Sequence, residues 1–117
     1  MSEPSKTRTS FYRRLYVAWL ISQGTDTVPA IMEATGMPRR TAQDTLTALA
    51  ELDISCAFEQ TEGARHLQGH YRISDWGPIN PAWIKAQLPL IKETLSYPRS
   101  GAGQEEYIAP FLIGQTD

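Results

Sequence analysis

Four polar side chains recur at offsets of three and four in the middle of the chain, at Arg40, Gln43, Asp44 and Thr47, with Glu51 continuing the row. An α-helix over about residues 38–52 would carry them on one side, and Arg39 would stand beside them at its N-terminal end. Their chemistry suits the hydrogen-bonding edges of nucleic-acid bases. A guanidinium offers two parallel donors that match the paired acceptors of guanine, a carboxamide such as Gln43 pairs with adenine, and a carboxylate such as Asp44 accepts from cytosine. Two plainer readings stand beside that one. Polar residues opposite a core stripe are often simply solvated, and Asp44, four residues after Arg40, is spaced to pair with it.

Other groups are weaker candidates. Arg65, His66 and Gln68 lie in a polar stretch flanked by glycines, over about residues 62–69, which reads as the tip of a hairpin. They suit phosphate or minor-groove contact, or plain exposure. Arg8, Arg13 and Arg14 suit a flanking sugar-phosphate backbone, or a solvated helix start. His66 and His70 are four apart but not on one helical turn. With a single cysteine and no acidic partner at ligand spacing, no metal site is expected. Cys56 alternates with Ile54 and Phe58, as a small buried hydrophobe would, rather than a redox sensor. Glu105 and Glu106 read as a solvated pair, and Gly101-Ala-Gly103 is followed by neither lysine nor a patterned helix. No cofactor and no catalytic constellation are expected.

The elements that must position these groups are modest in number. The chain has 117 residues, the size of one ordinary domain, with 41% hydrophobic and 21% charged residues. No stretch approaches the roughly 18 apolar residues of a membrane span. The start lacks the apolar core of a signal peptide and the single cysteine cannot form an internal disulfide, so a cytoplasmic location is expected. The net charge of −2 weighs against nucleic acid, but it is unevenly spread. Residues 1–40 carry six bases against three acids, and residues 41–62 five acids and no base. Residues 63–99 carry five bases against two acids, and the last eighteen residues three acids.

Residues 1–9 read as a disordered lead-in and 10–97 as the folded domain, with 98–117 a tail that packs on it or on a second subunit. A first helix is expected over about 10–23, capped by Thr9 or Ser10 and stopped by Gly24. Its apolar stripe (Phe11, Tyr12, Leu15, Tyr16, Ala18, Trp19, Leu20) is wider than one buried side needs, so its second flank should meet the tail or another subunit. A short helix follows over about 28–35, capped by Asp26 or Thr27 and ended by Gly36. The third, over 38–52, has Ala42, Thr45, Leu46, Leu49 and Leu52 as its back. Strands are expected at about 54–61, with Ile54, Cys56 and Phe58 inward, and at 70–74, with Tyr71 and Ile73 inward. A last helix over about 81–96 places Ile84, Leu88, Ile91 and Leu95 on one stripe, with a kink at Pro89.

That order, helix, helix–tight turn–helix, hairpin, helix, describes a mainly α fold with a β-hairpin, the winged helix-turn-helix. The stretch from Ala34-Thr-Gly-Met-Pro to Ile54 resembles the turn and recognition helix of bacterial winged-helix regulators. Gly69-His-Tyr-Arg-Ile-Ser-Asp-Trp-Gly77 resembles the end of their wing. The continuation Ser74-Asp-Trp-Gly-Pro-Ile-Asn-Pro-Ala-Trp-Ile84 is similar to a small family of functionally uncharacterised proteobacterial proteins. That family, formerly a domain of unknown function, is classed with winged-helix DNA binders. The resemblance covers about residues 10–97. It implies the fold and a DNA-binding activity, and brings no ligand, operator or catalytic residue with it.

The expected function is therefore that of a transcriptional regulator that binds double-stranded DNA, with no catalysis. Helix 38–52 would enter the major groove through Arg39, Arg40, Gln43, Asp44 and Thr47. Arg65, His66, Arg13 and Arg14 would hold backbone or minor groove. A homodimer through the first helix, the last helix and the tail suits paired half-sites, although the same apolar residues could instead complete one core. The alternative is a winged helix that binds proteins and not DNA.

Overall fold

The computed structural model describes residues 5–60 and 69–97. Helix α1 spans Lys6–Ser22 and starts four residues before the expected position. Ser5 is its cap, its hydroxyl accepting from the Arg8 amide at 3.1 Å, so residues 6–9 belong to the domain and not to a lead-in. Ser5, Thr9 and Ser10 can all cap a helix, and the choice falls to the one that adds a full turn of hydrogen bonds. The wide apolar face of α1 is used almost entirely within the chain. Val17, Ala18 and Ile21 are buried on one flank, and Tyr12, Leu15, Tyr16 and Leu20 on the other.

Helix α2 (Val28–Thr35) begins at Thr27, whose hydroxyl accepts from the Ala30 amide at 3.2 Å, with Pro29 in the first turn. Gly36 ends it at φ 79°, a left-handed conformation that favours glycine. The buried Thr35 hydroxyl stitches the turn that follows, donating to the Ile31 carbonyl at 2.7 Å and accepting from the Met37 amide at 3.2 Å. Pro38 then opens helix α3, Arg39–Ala48, which tightens into a 3-10 turn over Leu49–Leu52. Ala42, Thr45, Leu46 and Leu49 are buried, as the spacing predicts.

The hairpin pairs β1 (Ser55–Gln60) with β2 (Gly69–Asp75) antiparallel, Cys56 opposite Ile73 and Phe58 opposite Tyr71. Tyr71 also donates its amide to the Asp26 carbonyl at 2.8 Å, which ties β2 to the α1–α2 loop. Gly77, at φ 59°, brings the chain so close to Asp53 that a Cβ would strike the Asp53 carbonyl. That contact locks the base of the hairpin to the end of the α3 segment. Ile54 is buried as expected, but Phe58 is not inward in the sense expected. It is 47% exposed and lies edge-on to Tyr71 with ring centroids 5.1 Å apart, and it is the half-buried Tyr71 opposite it that packs against the core.

The expected last helix is two: α4 (Pro81–Ala86) and α5 (Leu88–Leu95), divided at Gln87. A proline ring clashes with the carbonyl four residues back and disfavours helix in the residue before it. Pro89 therefore does more than kink the helix. Its effect falls two residues upstream, where Gln87 caps α4. The stripe survives the break, since Ile84 and Ile91 are both fully buried against Tyr12, Leu15, Tyr16 and Leu20 of α1. No helix among the described residues is long and apolar enough to cross a membrane.

Leu49 is fully buried behind the end of α3. Leu49→Ala should lower the unfolding free energy by about 2–5 kcal/mol, read from urea unfolding followed by circular dichroism.

Candidate functional site

The apolar back of α3 faces α1 and α2, and its other side is open. Arg39, Arg40, Gln43, Asp44 and Thr47 are all exposed. Arg40 and Asp44 do approach each other, Nε to Oδ2 at 3.9 Å, but their side chains stay 89% and 74% accessible. A pair so long and so wet is worth little, so both groups remain available to a ligand. The Thr47 hydroxyl donates to the Gln43 carbonyl at 3.1 Å and keeps its acceptor capacity. The N-terminus of α3 differs from those of α1, α2 and α4, which are capped by Ser5, Thr27 and Asn80. Pro38 supplies no side-chain cap, and the amides of Arg39, Arg40 and Thr41 meet no acceptor among the described residues.

Two of the three expected arginines of α1 are brought to this face. An open groove is lined by Ser10, Arg13 and Arg14 of α1 and by Thr41, Asp44, Thr45 and Ala48 of α3. Arg8 is not part of it. Its guanidinium sits 5.9 Å from the centre of the Tyr12 ring, on the side of α1 that faces Phe11 and Trp83. Arg13 is half-buried near Tyr97, whose phenol is pushed up by burial and pulled partly back by that guanidinium.

This arrangement of a helix-turn-helix followed by a hairpin has counterparts among known proteins. A family model described as "Winged helix-turn helix" matches residues 6–95. The chain belongs to the winged helix-turn helix family. The crystal structure of a DUF2131 family protein from Shewanella amazonensis SB2B is similar, with 37% sequence identity and a TM-score of 0.76. The match covers 87% of this chain and 97% of that one. No curated protein matches the chain.

The expected hairpin tip, with Arg65, His66 and Gln68, lies outside the described residues, as does the tail with Glu105 and Glu106. On the described part of the wing, Arg72 is a base that the sequence reading passed over. It is turned to Glu59, Nε to Oε2 at 2.8 Å, and His70 lies 3.7 Å from the same carboxylate. The Arg72 hydrogen bond holds the Glu59 carboxyl below the usual carboxylate range. Strand alternation points Arg72 away from Tyr71 and Ile73, and that signal could have identified it as exposed. Burial pushes the half-buried Cys56 thiol up, which leaves it a poor nucleophile at neutral pH. Among the described residues no group of three or more His, Cys, Asp or Glu is placed to hold a metal ion.

Lys92 of α5 is buried, its ammonium 6.0 Å from the centre of the Tyr16 ring, and burial lowers its pKa. A depressed lysine penalises the fold wherever the unfolded chain holds the proton more readily, that is, below the ordinary lysine range. Stability from this group rises only as pH climbs from the lowered pKa to about 10.4. Lys92→Met should therefore raise the urea midpoint at pH 7, with a gain that shrinks as the pH of the titration approaches that range.

Proposed function

We propose that this winged helix binds double-stranded DNA in a sequence-specific manner and regulates transcription, without catalysis, in the cytoplasm. The observation that carries the reading is the exposed face of α3, which joins three conditions for groove readout. It is a helix of ten residues, about 15 Å long, with a buried back and a free front. Its front bears Arg39, Arg40, Gln43, Asp44 and Thr47, donors and acceptors matched to base edges in a major groove about 12 Å wide. Its uncapped N-terminus leaves amides free for a phosphate, with Arg13 and Arg14 alongside. On this reading Arg65 and His66, on the wing at about 62–69, hold the backbone or the minor groove.

A homodimer is part of the proposal, because two copies read paired half-sites. Most of the apolar surface first considered for it is already spent, since Tyr12, Tyr16 and Ile91 are buried within the chain. Among the described residues of helices α4 and α5, Trp83 and Leu90, each 45% exposed, remain available to a second copy.

Selection of bound fragments from a random DNA pool at moderate salt should enrich a palindrome. Arg40→Ala should then weaken binding to it by about 1–3 kcal/mol and relax preference at one position of each half-site. Unchanged affinity would remove Arg40 from the reading set. Binding of a protein partner through apolar contact, with no salt dependence and no enriched DNA, would favour a protein-binding role. For the dimer, sedimentation at micromolar concentration should give twice the monomer mass, falling to one with Trp83→Ala and Leu90→Ala combined. A wild-type monomer that still selects a palindrome would overturn that part alone.

A further inference from the structure

Helix α1 contains Lys6, Arg8, Arg13 and Arg14 and no acidic residue. Lys6 and Arg13 lie on one side and Arg8 on the other, while Arg14 borders grooves on both. Lys6, Thr9, Ser10 and Arg13 line one shallow groove, and Ser10, Arg13 and Arg14 line the next, against Thr41 and Asp44 of α3. Ser10 and Arg13 belong to both, so the two grooves form one strip running from the recognition face along the first two turns of α1. Helical spacing agrees, because positions 6, 10, 13 and 14 lie within one side of a 3.6-residue repeat. Lys6 is exposed, and the Ser10 hydroxyl has no hydrogen-bond partner among the described residues. Arg8 falls on the far side, over Tyr12.

We propose that Lys6 and Ser10 extend the interface as a phosphate-binding strip, joining Arg13 and Arg14 on the sugar-phosphate backbone of duplex flanking the bases met by α3. The inference rests on the DNA-binding reading. Eight residue steps of helix, from Lys6 to Arg14, span about 12 Å, or about three and a half base-pair steps of 3.4 Å. A lysine, a hydroxyl and two guanidiniums in that length are the donors that position a protein on a duplex without reading it. Such contacts release condensed cations, and their number sets how steeply affinity falls with salt.

The test is a fluorescence-anisotropy titration of the full chain against the selected palindromic duplex and a scrambled duplex of equal length, at about 50 to 200 mM salt. Lys6→Gln should reduce the slope of log affinity against log salt by about 0.9, so that the loss of affinity over that fourfold salt range is roughly three- to fourfold smaller. It should weaken binding to both duplexes alike at the lower salt, and Lys6→Glu should weaken it further. Arg8→Gln removes the same charge from the opposite side of the helix and should leave the slope unchanged. Wild-type slopes in both Lys6 variants overturn the strip while leaving DNA binding standing. Equal changes for Lys6→Gln and Arg8→Gln also overturn it, since net charge alone would then account for them. Failure of the unaltered protein to bind either duplex removes the strip together with the reading on which it rests.

Discussion

The burial of Ala42, Leu46 and Leu49 decides the presentation of everything else on α3. These three side chains join Val17, Ala18 and Ile21 of α1 and Ile31 of α2 in one cluster, and Ala18, Ala42 and Leu49 have no accessible surface. The two alanines let the backbones approach closely, and close-packed interiors leave little freedom for a helix to roll. Turning α3 by a single residue step, 100°, would push Gln43 towards the core and expose Leu46. A buried amide without a partner costs several times what one apolar contact contributes. The polar front is thus held outward by the same packing that stabilises the domain. The hairpin depends on it in turn, because Ile54 is anchored in the cluster and Gly77 presses against Asp53 just beyond α3.

Much of this was legible in the sequence, for reasons that differ from element to element. Helix α3 could be read from the spacing of Ala42, Thr45, Leu46 and Leu49, since a strong period is a direct imprint of burial on one side. Helix α2 could be read from its ends, because a capping hydroxyl at Thr27 and a left-handed glycine at Gly36 answer local requirements. The start of α1 could not. Ser5, Thr9 and Ser10 are chemically equivalent caps, and nothing in the residues between them breaks a helix. The division at Gln87 was half visible, since Pro89 announces trouble but not which upstream residue will absorb it.

The site was legible to the same degree as the elements that hold it. Arg40, Gln43 and Thr47 could be grouped because they share one helix and one period. That Arg13 and Arg14 stand beside Asp44 is a fact of how α1 crosses α3, and no local pattern encodes a crossing. The same holds for the contrast between Arg8 and Arg13, five residues apart in one helix yet on different sides. Lys6 was hidden by the misplaced helix start, for a base in a lead-in has no defined direction. Phe58 misled by obeying strand alternation perfectly. Alternation fixes the face of a strand but not which member of a cross-strand pair, here Tyr71 and not Phe58, reaches the core.

A net charge of −2 bears on a DNA-binding reading only through where the charges lie. At physiological ionic strength the Debye length is about 8 Å, so acids much farther than that from a bound phosphate act on it weakly. Among the described residues, the grooves along the α1–α3 edge are lined by the bases Lys6, Arg13 and Arg14 and by one acid, Asp44, itself 3.9 Å from Arg40. Elsewhere, Glu59 on the wing is already occupied by Arg72. Acids placed away from a basic edge would repel a duplex in other orientations, lowering indiscriminate adhesion more than the one productive approach. On the proposed DNA-binding role that asymmetry would be useful in itself, because the relevant quantity for a site-specific binder is the ratio of specific to non-specific binding rather than affinity alone. An acidic total is then compatible with a basic working edge, and would sharpen what such an edge selects.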